Sequence, residues 1–174
     1  AEEVLRDADT ALSRAKETGR DRCVIFAEEM HHEVLRKLSL EGELRRSIHE
    51  RRFIAHYQPI ISLQTMEISG FEALARWNTA NRGIVAPSEF IPAAEESGLI
   101  VPIGREVLRS ACHQIKEWHG LLHNQGGLSI NVNLSVRQID QASIVLDTFG
   151  VLSDAALDTR FLKLEITESL LMAG

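Results

Sequence analysis

Three short stretches of this chain alternate apolar and polar residues with a period of two, and that alternation restricts the fold more than any other feature. They are Gly70-Phe71-Glu72-Ala73-Leu74-Ala75-Arg76-Trp77, Ile130-Asn131-Val132-Asn133-Leu134-Ser135 and Leu162-Lys163-Leu164-Glu165-Ile166-Thr167-Glu168. Successive side chains of a strand point to opposite faces, so Phe71, Ala73, Ala75 and Trp77 oppose Glu72, Leu74 and Arg76. By the same parity Ile130, Val132 and Leu134 oppose Asn131, Asn133 and Ser135, and Leu162, Leu164 and Ile166 oppose Lys163, Glu165 and Thr167. Strands that turn apolar side chains to covering helices and carboxylates or amides to the other face suggest a barrel bore opening into an active site. Oxygen ligands gathered there suit a hard divalent cation.

The rest of the chain supplies the helices such a sheet needs. Residues 1–18 read as a helix with Val4, Leu5, Ala8, Leu12 and Ala15 on its apolar face and Gly19 at the C-cap, followed by a short strand, Cys23-Val24-Ile25-Phe26. A charged helical stretch at 28–50 has a narrow apolar stripe of Met30, Val34, Leu38, Leu44 and Ile48, interrupted by Gly42. It reads as a connecting helix, with the change of composition at Arg51-Arg52-Phe53 as the domain boundary.

A strand is predicted from Phe53 to about Leu63, then a turn at Gln64-Thr65-Met66, so that the first two strands form an antiparallel hairpin. A polar loop spans 78–83. Ser88 is the expected N-cap of a helix ending before Gly98. A longer helix at 101–119 carries Ile103, Val107, Ala111, Ile115 and Trp118 on one side, and Ser135 caps a helix expected to continue to about Ala156. Strands alternating with helices in this way predict a parallel α/β sheet.

Composition narrows the class further. With 44% hydrophobic and 25% charged residues the chain is an ordinary globular sequence, and its net charge of -6 argues against a surface for nucleic-acid polymers. Cys23 and Cys112 form no Cys-x-x-Cys pair, which suits a reduced, cytoplasmic protein. No apolar run approaches the roughly 20 residues of a membrane span, so no direct membrane contact is expected from this segment, although upstream segments could anchor a parent protein. His119 and His123 stand four apart without a His-Glu-x-x-His pattern beside a polar loop, and read with His113 as solvated histidines.

Phe71-Glu72-Ala73-Leu74-Ala75-Arg76-Trp77 resembles the signature of EAL domains, bacterial phosphodiesterases that hydrolyse cyclic di-GMP. His56-Tyr57-Gln58-Pro59-Ile60, the stretch 89–100, Asn131-Val132-Asn133-Leu134-Ser135 and Leu164-Glu165-Ile166-Thr167-Glu168-Ser169 match further family segments in the right order. The resemblance covers roughly residues 43–171. It implies an α/β fold, a partial TIM-type (β/α) barrel with its first strand antiparallel, preceded by a linker helix. Such a barrel takes about 250 residues, so residues 51–174 correspond to the N-terminal half of an EAL domain. Asp7-Ala8-Asp9-Thr10-Ala11 and Ala15-Lys16-Glu17-Thr18-Gly19-Arg20 look like the closing helix and turn of a GGDEF domain, making 1–27 its C-terminal remnant and 28–50 the linker.

By resemblance, Glu72, Asn133 and Glu165 match the family's metal ligands for Mg²⁺ or Mn²⁺, and the strand parity independently puts them on one face. Glu72 and Glu165 would serve catalysis through that metal, and Glu168 looks like the residue that steadies an active-site loop. Gln58, Leu74, Arg76 and Pro92 match positions around the dinucleotide, Arg76 as the phosphate contact. Alternatives stand beside these roles, among them Asn133 as an amide that bonds backbone at a strand end. Glu72 could be an inward carboxylate satisfied by Arg76, and Glu165 could pair with Lys163 or with arginines. Asn131 reads as a structural amide or a group behind the ligands.

The expected function is therefore a segment of a metal-dependent phosphodiesterase that converts cyclic di-GMP to linear pGpG, active in the intact parent and inactive as an isolated fragment. A homodimer and a cytoplasmic location are expected. The alternatives are a noncatalytic cyclic di-GMP receptor and a dimerisation module.

Overall fold

A computed structural model describes residues 2–17, 19–121 and 127–166. The chain divides into two compact units, 1–43 and 44–174, with the division inside a helix.

The first unit holds α1 (Glu2–Glu17) and most of α2 (Glu28–His49). Gly19 follows α1 with φ +111°, the backbone region where glycine is tolerated at helix ends. An ion pair of 3.2 Å from Arg14 to Glu33 ties α1 to α2. The strand expected at 23–26 does not form. The Val-Ile-Phe run has strand propensity, but a strand needs a ladder partner, and none of the described residues pairs with it. Gly42 does not interrupt α2, which runs through it.

The second unit is built on a five-stranded sheet. Strand β1 (Phe53–Ile61) pairs antiparallel with β2 (Ile68–Thr79), placing Phe53 beside Trp77, Tyr57 beside Ala73 and Gln58 beside Glu72. The turn between them passes Met66 at φ +57°. Strand β3 (Gly83–Val85) folds back on the end of β2, and the loop expected at 78–83 is shortened at both ends, β2 taking Asn78 and Thr79 and β3 taking Gly83. The Thr79 hydroxyl closes that turn, donating to the Gly83 carbonyl at 2.9 Å and accepting from the Arg82 N–H at 3.0 Å.

Helices α3 (Pro87–Ser97) and α4 (Ile100–Leu121) then lead to β4 (Ser129–Leu134). The N-cap of α3 is Ala86 rather than Ser88, because Pro87 takes the first helical position, where its missing N–H costs nothing. Gly98 ends the helix at φ +77°. After β4, Ser135 does cap a helix through a reciprocal capping box with Gln138. That helix is only α5 (Val136–Ile139), and α6 (Ile144–Asp154) starts afresh, so the single helix expected to reach Ala156 is two. A turn of 3-10 helix at Thr159–Phe161 leads into β5 (Leu162–Ile166). Strands β2, β4 and β5 run parallel in the order β1-β2-β4-β5, so the fold is mixed α/β with a sheet of mixed strand direction.

The two sheet faces divide as the alternation requires. Ala73, Ile130 and Val132 pack under α4 through Leu108, Ala111, Cys112 and Ile115, and under α6 through Val151, Leu152 and Ala155. Phe53, Trp77 and Phe90 stack beside this core with ring centroids 5.6–6.0 Å apart. At the far edge Leu164 and Ile166 are exposed, so on β5 the expected burial of the apolar parity reaches only the partly buried Leu162.

Candidate functional site

The face of the sheet away from α4 carries two rows of polar side chains, set by register. In the first row Gln58 of β1, Glu72 of β2, Asn131 of β4 and Lys163 of β5 are successive neighbours. In the second row His56 lies beside Leu74, and Asn133 lies beside Glu165. Strands β2 and β4 pair only from Gly70–Ser129 to Ala73–Val132, after which the ladder ends.

The contacts run diagonally between these rows. The Asn133 side-chain amide donates to Glu72 Oε1 at 2.7 Å, and the Asn131 amide donates to Glu165 Oε1 at 2.5 Å. An ionised carboxylate accepts hydrogen bonds and donates none, so each amide must turn its NH₂ to the glutamate, leaving its carbonyl oxygen free for another partner. Glu72, Asn133 and Glu165 therefore occupy three adjacent strands on one face. Two carboxylates and an amide oxygen form a hard, oxygen-only donor set of the kind that holds Mg²⁺ or Mn²⁺. Among the described residues no three His, Cys, Asp or Glu side chains gather as a metal site.

Neither alternative pairing of the glutamates is formed. Arg76 does not engage Glu72; its guanidinium turns back to the Ala75 carbonyl at 2.8 Å. Glu165 is held by Asn131 rather than by Lys163. Arg76 and Leu74 are half-buried on the polar face, whereas Gln58 and Pro92 are exposed, Pro92 on α3. Glu168 and His123 lie outside the described residues. His119 is not a free solvated ring: its Nε2 sits 2.8 Å from the Leu128 carbonyl and its ring packs on Phe161. Cys112 belongs to the core, and burial pushes its thiol up to about 11.

Two features were not anticipated. One is the Asn131–Glu165 bond: parity placed both residues on the polar face, but only the β4–β5 register makes them partners. The other is a cavity of about 310 Å³ where β2 and β4 part, lined on its apolar side by Ala73, Ile91, Ile103 and Val107 and meeting the polar face at Leu74 and Asn133.

Comparisons with known proteins identify the family and the fold. The EAL domain family matches residues 41–173. The cyclic di-GMP phosphodiesterase PdeR of Escherichia coli is 37% identical over 97% of this chain and 25% of its own length. MucR of Pseudomonas aeruginosa, a bifunctional diguanylate cyclase/cyclic di-GMP phosphodiesterase, is 36% identical over 98% of this chain and 24% of its own. A solved structure of the PaMucR phosphodiesterase in complex with c-di-GMP superposes with a TM-score of 0.70 at 37% identity, covering 78% of this chain and 54% of that one. The chain thus spans about a quarter of the length of the curated relatives it matches. With the family segments in order along one sheet and the glutamates and asparagines gathered on its polar face, the chain belongs to the EAL domain family.

Proposed function

We propose that this chain supplies part of the active site of a metal-dependent phosphodiesterase that hydrolyses cyclic di-GMP to linear pGpG. The observation that carries the reading is the pair of amide–carboxylate bonds, Asn133 to Glu72 and Asn131 to Glu165, which hold two glutamates in fixed orientation on one open face. EAL phosphodiesterases depend on a divalent metal. The donor set fits such an ion: Glu72, Asn133 and Glu165 would hold Mg²⁺ or Mn²⁺ by oxygen alone. When bound, the ion supplies charge neutralisation at the phosphoryl oxygens and a water acidic enough to attack near neutral pH.

The chain's own residues bind and orient. Asn133 fixes Glu72 by its N–H and keeps its carbonyl oxygen for the ion. Arg76, with a planar guanidinium that grips phosphate through two parallel hydrogen bonds, holds the scissile diester. Gln58 offers an amide to a guanine edge, while Leu74 and Pro92 offer apolar contact to the bases. Attack of water oxygen at phosphorus breaks the bond to the ribose oxygen, which leaves with a proton, and the ring opens to the linear dinucleotide. Glu168 retains the loop-steadying role implied by resemblance.

The alignment with the bifunctional MucR extends over nearly the whole chain, which supports reading residues 1–27 as the end of a GGDEF domain and 28–50 as the linker. A homodimer and a cytoplasmic location belong to the same reading, the first checked by sedimentation of the intact protein. Among the described residues no helix is long and apolar enough to cross a membrane.

The test is Glu72→Ala in the intact protein, assayed for pGpG release with Mg²⁺ or Mn²⁺. Loss of turnover with cyclic di-GMP still bound is expected. Turnover like the wild type would overturn the ligand assignment, and binding without turnover by the wild type would make the protein a receptor.

A further inference from the structure

Asn131 is the least ordinary residue on the polar face. It is 8% exposed, on a strand whose other polar-face amide, Asn133, is open to solvent. Its N–H group is used in the 2.5 Å bond to Glu165, but its carbonyl oxygen is buried and has no hydrogen-bond partner among the described residues. A buried acceptor without a donor is unfavourable, and native proteins rarely leave one unless a water, ion or ligand completes it. Rotating the amide offers no relief, because it would set the carbonyl oxygen against the carboxylate of Glu165 and repel it. The arrangement is therefore locked by Glu165 on one side and incomplete on the other.

We propose that Asn131 is a positioning residue for the cation site: it holds Glu165 by one oxygen, leaving the second for a divalent cation, while its own carbonyl oxygen, buried without a donor, gains the fold nothing. Groups behind a ligand that fix its rotamer tune affinity without touching the metal. The inference rests on the reading of Glu72, Asn133 and Glu165 as ligands.

Its test is Mn²⁺ titration of the intact protein by calorimetry, without nucleotide, together with thermal unfolding of the metal-free form. Asn131→Ala should weaken Mn²⁺ binding by roughly tenfold to a hundredfold, the usual cost of losing a group behind a ligand. Its metal-free unfolding midpoint should stay near that of the wild type, because the substitution removes an unsatisfied carbonyl along with the bond to Glu165. Asn131→Ser, which is too short to reach Glu165, should behave alike and serves if the alanine variant does not fold. In a Glu165→Gln background either substitution should add little further loss. A lowered metal-free midpoint with unchanged Mn²⁺ affinity would mark a merely structural amide and overturn the proposal. Glu165→Gln binding Mn²⁺ as the wild type does would instead overturn the ligand set, and this inference with it.

Discussion

Replacing Gly70 with alanine should pry apart the two strands that carry the site. Gly70 opposes Ser129 at the first rung of the β2–β4 ladder. A Cβ built on Gly70 would press into the Ser129 hydroxyl and lie 2.5 Å from the Ser129 backbone oxygen and 3.2 Å from its carbonyl carbon. The hydroxyl can rotate away, but the backbone oxygen cannot, and it sits about 1 Å inside ordinary van der Waals separation. Overpacking of this kind costs about 1–3 kcal/mol. Loss of one ladder hydrogen bond adds about 1 kcal/mol. Against this, alanine lowers the entropy of the unfolded chain, a gain of about 0.4–1 kcal/mol. The net expectation is a loss of about 1.5–3 kcal/mol by urea unfolding, or a fall in Tm of roughly 5–12 °C for a unit of this size. Because Glu72 lies two residues further along β2, Mn²⁺ affinity should fall with stability. Adding Ser129→Ala should recover little, since the backbone oxygen stays. A Gly70→Ala protein within about 0.5 kcal/mol of wild type, the range of an innocuous surface change, would refute the close-approach argument.

Other consequences follow from the same coordinates. The Arg160 side chain and backbone N–H bind the Asp158 carboxylate, holding it at about 2 against its ordinary 3.8. A carboxyl depressed on folding stabilises the native state above its unfolded value, and that contribution fades as pH falls from about 4 towards 2. Asp158→Asn should accordingly flatten the pH dependence of urea midpoints in that window, and an unchanged slope would count against the pairing. Cys112 is buried with a thiol pushed up to about 11, whereas Cys23 is exposed. One thiol should react with a disulfide reagent at pH 8 in the native protein and two after unfolding, and rapid reaction of both would contradict the packing of Cys112.

Side-chain alternation was readable in the sequence because its period is short and local: the facing of Phe71 and Ala73, or of Ile130 and Val132, depends on neighbours two residues away. The helical stripe of α4 was readable for the same reason at a longer period. What escaped depended on distant partners. Strand β3 has only three residues, too few to show a period, and forms because β2 offers an edge. Cys23–Phe26 has the composition of a strand and no ladder to join. The break between α5 and α6 contains neither glycine nor proline. It accompanies Gln138, which closes the capping box and packs against Gly104 of α4, a position where any Cβ would meet its amide. In the site, alternation predicted that Glu72, Asn131, Asn133 and Glu165 share a face, but the diagonal bonds depend on register between strands 34 and 61 residues apart in sequence. The contact of Glu72 with Asn133 in place of Arg76 could only come from that register.

The most direct test is anomalous diffraction from crystals of the intact protein soaked in Mn²⁺. The account predicts a peak coordinated at about 2.1 Å by oxygens of Glu72, Asn133 and Glu165 together. A peak held by other side chains, with these three oxygens turned away from it, would contradict the claim that the polar face of this sheet is a cation site.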